Sequence, residues 1–305
     1  MTPDNFTIDE HMLPVGNGHK IYIYDWGKKD AKLPVLFLHG GPGGATNDKY
    51  KQRYDPTRQR VIFFDQRGAG KSTPIGSLAH NTTNELVEDI EKIAEHMQLN
   101  KFIIAGGSWG SCLALVYAIR YPKRIHSMVL GGIFTGTKEE VSYLFNGGYK
   151  KFFPEVWQTF LDRTPKEYHK NPAQYHYKMA FGNNSVKAKK SIYAMAEVEH
   201  SLMSLDDRHS PCNFEEFEPD AMKIELFYTL NNCFLPNKYI EKNADKINVP
   251  TWFVQGRYDA ICPPHTAFEI SNLMPDCKLI WTTAGHANDR ANYDVARTIL
   301  LAITQ

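Results

Sequence analysis

The chain has 305 residues and is 42% hydrophobic, enough to bury a large core as one sizeable domain with an insertion or as two modest domains, and this excludes a disordered chain. Its 35 Lys and Arg balance 34 Asp and Glu, so no overall field exists to hold nucleic acid or an anionic membrane, and the expected partner is a small molecule or a peptide. Five cysteines without a C-x-x-C pair, a start lacking the charged and apolar regions of a signal peptide, and no apolar run near the roughly 18 residues of a membrane span read as a reduced, cytoplasmic protein.

Strand-like segments at 20–25 and 34–38 come first, and the second runs into Leu38-His-Gly-Gly-Pro-Gly-Gly44, where four glycines around a proline let the backbone turn an N–H inward. A strand at 61–65 leads into Asp65-Gln-Arg-Gly-Ala-Gly-Lys-Ser72. That run has a superficial likeness to a phosphate loop, but the pattern needs glycine where Asp65 stands, which excludes nucleotide binding. The spacing of Leu86, Ile90, Ile93 and Met97, with Glu85, Glu88, Glu91 and Glu95 opposite, predicts an amphipathic helix over 84–99. The apolar run 102–106 then meets Gly106-Gly-Ser-Trp-Gly110 and a helix-like Cys112–Ile119. This is a strand, a glycine-pinched turn with Ser108 at its tip, and a helix. After a further strand at 128–133 the texture becomes aromatic and helical from about 137, with Tyr143, Phe145, Tyr149, Phe152, Phe153, Trp157 and Phe160. Strands return at 251–255 and 278–282, and a last helix covers about 291–303. The rhythm is that of a mostly parallel sheet covered on both faces, with an inserted helical cap. The divisions are 1–136 and 241–305 for the two parts of the core and 137–240 for the cap.

The turn at Ser108 points to nucleophilic chemistry. A serine on a sharp strand-to-helix corner stands clear of the sheet, while the N–H of Trp109 and the dipole of the following helix face a developing oxyanion. Such a serine needs a base, and the base an orienting acid, in the chain order Ser, acid, His. His39 and His286 both sit in glycine-bounded turns after strands, but only His286, in Thr283-Ala-Gly-His286, follows the serine. Asp259 lies just past the strand 251–255, where ligand sites of open α/β sheets are found. Gly41 is assigned as the second oxyanion donor, a contribution worth ~3 kcal/mol to the transition state. His169 and His176 lack companion ligands at metal spacing, so neither metal nor organic cofactor is expected.

Selection falls to the cap. In the segment 187–205, Glu199 shares the apolar stripe of Ile192, Met195, Leu202 and Met203, whereas Glu197 lies with Tyr193, His200 and Ser204. Glu225 lies in Met222–Leu230, apolar on nearly every side. Isolated buried carboxylates are costly, so each either pairs with a cap lysine or arginine or holds the ammonium of an incoming ligand. A carboxylate about 4 Å from an ammonium gains ~4 kcal/mol at an effective dielectric of 20 before desolvation.

Together, His39-Gly-Gly-Pro-Gly-Gly44, Asp65–Pro74, Gly106-Gly-Ser-Trp-Gly-Ser111, Gly131-Gly-Ile-Phe134 and Gly256–Pro263 resemble the prolyl aminopeptidase (proline iminopeptidase) family of the α/β-hydrolases, over almost the whole chain. The resemblance implies an α/β-hydrolase core with a helical cap, a Ser108–Asp259–His286 triad, and two cap glutamates, Glu199 and Glu225, that bind the amine of a small peptide substrate whose first side chain enters an aromatic pocket. Glu199 follows Val198, where the family commonly has tryptophan, so a broader aminopeptidase is an alternative to a proline-selective one. A general carboxylesterase or lactonase shares the same triad without needing the glutamates.

Overall fold

A computed structural model describes residues 6–205, 213–287 and 290–304. Its centre is an eight-stranded sheet in the order β1-β2-β4-β3-β5-β6-β7-β8, formed by β1 (Phe6–Gly16), β2 (His19–Lys28), β3 (Val35–Leu38), β4 (Arg60–Phe64), β5 (Phe102–Ser108), β6 (Ile125–Ile133), β7 (Thr251–Gly256) and β8 (Cys277–Thr282). The pairs β1–β2 and β2–β4 are antiparallel and every other pair is parallel. Strands β3 and β5 are continuous apolar runs because helices cover both of their faces. The strand β1 has no counterpart among the strands expected from the sequence, the first of which starts at residue 20. That edge strand is largely exposed, so it lacks a buried alternation, and its pairing with β2 holds it in place.

Helices α1 (Thr83–His96) and α2 (Trp109–Arg120) pack on one face of the sheet. Five helices follow β6: α3 (Lys138–Phe145), α4 (Pro154–Asp162), α5 (Pro172–Ala180), α6 (Ser185–Leu202) and α7 (Asp220–Leu230). The chain then returns through β7, α8 (Pro264–Leu273), β8 and α9 (Arg290–Ile303), and α9 covers the other face of the sheet. Helices α3 to α6 form an apolar cluster of their own around Phe145, Tyr149, Phe160, Met195 and Leu202. Helix α7 belongs to both bodies, since Met222 and Leu226 join that cluster while Ile224 and Tyr228 enter the main core. This double burial is why its sequence is apolar on nearly every side.

The loop after β4 is anchored by Arg67, whose Nε and Nη2 donate to Asp89 Oδ2 and Oδ1 of α1 at 2.6 and 2.8 Å. Both side chains are about 1% exposed. Removing one partner of a buried pair strands the other charge. Asp89→Ala is expected to destabilise the fold by about 3–5 kcal/mol, seen as a lower denaturant midpoint at unchanged slope.

Candidate active site

The site starts at a backbone turn. Ser108 ends β5 and caps α2 with φ 56° and ψ −130°, a left-handed conformation that costs a side-chain-bearing residue of the order of 1–3 kcal/mol. The turn closes because Gly110 carries no side chain: a Cβ there would lie 2.2 Å from the Leu38 carbonyl oxygen. Trp109 begins α2 fully buried.

The acid and the imidazole meet across 27 residues of sequence. His286 Nδ1 lies 2.9 Å from Asp259 Oδ2 and 3.1 Å from Oδ1. Asp259 Oδ1 also accepts the Ile261 and Cys262 N–H groups at 3.0 and 2.8 Å, and its Oδ2 accepts from Gln255 Nε2 at 3.2 Å. Burial pulls the His286 pKa down, but the charge and hydrogen bond of Asp259, aided by the charge of Glu199, more than offset this and raise it. His286 and Ser108 flank the same glycine. A Cβ on Gly132 would lie 2.9 Å from His286 Cε1 and 3.4 Å from the Ser108 nitrogen. Burial pushes the pKa of the nearby Cys262 thiol, which lines the same cavity as Ser108, well up.

The glycine loop after β3 completes one wall. Gly40 approaches the serine, since a Cβ there would sit 3.2 Å from Ser108 Cβ, and Gly41 lines the cavity with φ +111°. His39 is buried and braces this loop. Its Nε2 accepts the Gln66 N–H at 2.9 Å, which leaves Nδ1 to donate to the Gly40 carbonyl at 2.9 Å, and burial lowers its pKa. Gln66 continues the brace by donating to His39 O at 2.9 Å and accepting the Trp109 indole N–H at 2.8 Å. Sequence reading passed over Gln66 and Gln255. Gln66 lay inside the rejected phosphate-loop likeness, and Gln255 stood as the last residue of a strand.

Ser108, His286, Glu199 and Glu225 line one cavity of about 390 Å³, within the range of small-molecule sites. Phe134, Leu144, Phe145 and Met203 give it an apolar wall on the cap side. The other aromatics of the early cap are placed differently: Tyr149 and Phe160 fill the cap's own cluster, and Phe152 is 84% exposed. Glu197 pairs with Arg163 through two bonds of 2.6 and 2.8 Å, which is the fate the sequence left open for Glu199 and Glu225. No lysine or arginine among the described residues pairs with either of those two. They face each other instead, close enough to share a hydrogen bond. Burial raises the pKa of both, and the charge and hydrogen bond of the neighbouring Glu199 add to the rise at Glu225. Gly43, at φ +93°, lets α7 rest on the glycine loop: a Cβ there would strike the Ala221 carbonyl at 2.3 Å.

His169 and His176 both bond to Thr164, and His176 stacks on Phe160, so they serve the cap's packing. Among the described residues no group of three or more His, Cys, Asp or Glu is arranged to hold a metal ion, and no helix is long and apolar enough to cross a membrane. Cys212 and Asn288 lie outside the described residues.

Residues 34–288 match the family model of the alpha/beta hydrolase fold. The chain is 37% identical over 284 residues to a probable proline iminopeptidase of Leptolyngbya boryana, covering 90% of this chain and 88% of that one. It is 36% identical to the proline iminopeptidase of Arabidopsis thaliana, covering 90% and 74%, and 34% identical to that of Neisseria gonorrhoeae, covering 90% and 89%. Among solved structures, proline iminopeptidase of Mycobacterium smegmatis matches with a TM-score of 0.65 at 18% identity over 97% of each chain, and an esterase of Thermogutta terrifontis with 0.64 at 18% identity over 97% of each, likenesses of fold alone. With a nucleophile-elbow turn, an acid–imidazole pair and sequence identity across nine-tenths of its length, the chain belongs to the proline iminopeptidase family of the α/β hydrolases.

Proposed function

We propose that this enzyme is a serine aminopeptidase that releases an N-terminal residue, preferentially proline, from short peptides through an acyl-enzyme. The observation that carries this reading is the Glu199–Glu225 pair, buried carboxylates that no lysine or arginine among the described residues pairs with, in the same cavity as Ser108 and His286. The substrate enters beneath the cap, residues 137–240, inserted between core segments 1–136 and 241–305. Its ammonium sits between the two carboxylates. A prolinium nitrogen carries two N–H donors, one for each carboxylate. A primary ammonium brings a third, and a buried donor left unpaired costs about 1–3 kcal/mol. That cost and the small apolar wall of Phe134, Leu144 and Phe145 together favour the proline ring.

Chemistry then follows from the geometry. His286 Nε2 takes the Ser108 proton as Oγ adds to the first carbonyl carbon, and the Gly41 and Trp109 N–H groups receive the oxyanion. Asp259 holds the proton on His286 Nδ1 and stabilises the imidazolium. As the C–N bond breaks, His286 hands its proton to the departing amine. Water, deprotonated by the same imidazole, adds to the ester and releases the free amino acid. Among the described residues the four cysteines, Cys112, Cys233, Cys262 and Cys277, are free thiols, which fits a reducing cytoplasmic setting. An esterase or lactonase would use the same triad, but an uncharged substrate would leave the carboxylate pair unused.

Ser108→Ala is expected to abolish labelling by a serine-directed phosphonate and turnover of prolyl aryl amides; near-full turnover would sink the scheme. Glu225→Gln and Glu199→Gln are expected to lower kcat/KM for free-amine substrates by tenfold or more, about 1.4 kcal/mol, while sparing acetyl esters. Equal losses on both substrates would assign the glutamates a structural role. Imidazolium cannot accept the serine proton, so kcat/KM rises with pH through the His286 pKa, above the ordinary histidine value of 6.5. Asp259→Asn removes what raises that pKa: the acidic limb is expected to move to lower pH while kcat falls about 10⁴-fold.

A further inference from the structure

The cavity has a second charged end that the proposed chemistry leaves unused. On its α9 side it is lined by Tyr50, Arg53, Tyr54 and Tyr293. The Arg53 guanidinium lies 4.1 Å from the Tyr293 ring centre and 5.4 Å from that of Tyr50. These rings hold it by cation–π attraction. They do not satisfy its donors. Arg53 Nε is buried without an acceptor, and so is the hydroxyl of Tyr54, a residue only 2% exposed. Other inward guanidiniums among the described residues are matched, Arg60 by Asp25, Arg67 by Asp89 and Arg124 by Glu91, whereas no carboxylate among the described residues pairs with Arg53. A buried donor without an acceptor is costly, and a cationic one more so, which points to an acceptor supplied from outside the chain. The segment is also held in place, since Arg297 of α9 donates to the carbonyls of Gln52 and Tyr54 at 2.8 and 3.0 Å.

We infer that Arg53 and Tyr54 form a subsite for the carboxylate of the leaving amino acid, so that the enzyme takes zwitterionic dipeptides in preference to the same dipeptides with a blocked C-terminus. The inference rests on the aminopeptidase reading above. His286 must reach the departing nitrogen, so the leaving residue lies on the His286 side of Ser108. His286, Asn292 and Tyr293 line the same cavity, Asn292 Nδ2 donates to the carbonyl of Gly285, the residue before His286, at 3.2 Å, and Tyr293 is the ring 4.1 Å from the Arg53 guanidinium. In a dipeptide the terminal carboxylate stands one residue beyond the scissile bond. The cavity is therefore bipolar, with carboxylates for the substrate's ammonium on the cap side and a guanidinium for its carboxylate on the α9 side. A planar guanidinium suits a carboxylate because two parallel N–H donors match two oxygens.

The test compares kcat/KM for prolyl-alanine and prolyl-alaninamide. The parent enzyme is expected to favour the acid by about tenfold or more, chiefly through KM. In Arg53→Gln that ratio is expected to fall to near one, and in Arg53→Lys to stay in between, since the charge remains but the paired donors are lost. A parent ratio near one, or an Arg53→Gln ratio equal to the parent's, overturns the subsite. If the parent cleaves neither dipeptide nor a prolyl aryl amide, the aminopeptidase reading itself fails; cleavage of acid and amide at equal efficiency removes only the subsite. A measurement free of variants serves if Arg53→Gln does not fold. Free alanine is expected to inhibit prolyl aryl amide hydrolysis by the parent at concentrations about tenfold lower than alaninamide, and equal inhibition overturns the proposal.

Discussion

Everything in the site is referred to one crowded crossing, where β5 turns into α2 beneath the end of β3. The left-handed backbone at Ser108 is tolerable only if the turn is held from several directions, because the strain is released as soon as its surroundings give way. The hold is steric on one side, where Gly110 admits the Leu38 carbonyl, and polar on the other, where Gln66 ties the Trp109 indole to the main chain of His39. Fixing the serine thereby fixes the glycine loop opposite it. One set of contacts places both walls of the prospective oxyanion site, which makes the catalytic geometry a property of the sheet and not of loose loops.

Gln255 plays a comparable part on the neighbouring strand. Its Oε1 accepts the Ile133 N–H at the end of β6, while its Nε2 donates to Asp259 and to the Cys262 carbonyl. The carboxylate opposite His286 is thus registered against the strand next to the one that carries Ser108. Two buried amide side chains, each satisfied at both its oxygen and its nitrogen, connect the sheet to the loops. The electrostatic contrast lies elsewhere: Asp259 is satisfied by protein hydrogen bonds, whereas no lysine or arginine among the described residues pairs with Glu199 or Glu225. A fully satisfied carboxylate can orient a neighbour; the cation-binding role proposed for the glutamate pair draws on the opposite condition.

The legibility of these features in the sequence follows the range of the forces that make them. The Ser108 turn is local, and its glycines, strand and helix lie within about fifteen residues, so the pattern alone carried it. Asp259 and His286 each sit where a strand ends, and the topology of a parallel sheet brings such ends to one edge. Glu199 and Glu225 stood out because a carboxylate interrupts an apolar face, but the sequence left open whether a lysine would answer them, since the pairing depends on helices far apart in the chain. Gln66, Gln255 and Arg53 carry no local signal: each gets its meaning from partners contributed by other elements. The edge strand β1 was missed for the related reason that its stability comes from its neighbour and not from its own pattern.

The apolar cluster of the cap does not end with the cap. Ala260, Ile261 and Cys262, the three residues after Asp259, pack within it beside Leu144, Met195 and Leu226. The acid's own loop is therefore a floor for the helices that shape the pocket. On the proposed reading, two functions that evolution could otherwise tune apart, the choice of substrate and the alignment of the imidazole, share the same packed volume. Enlarging the pocket to admit a bulkier first residue would loosen the support under residues 260–262 and tilt the carboxylate away from His286. New specificity on this scaffold then demands compensating changes on both sides of that seam, so cap exchange between relatives is constrained by the fit to this loop as much as by the pocket itself.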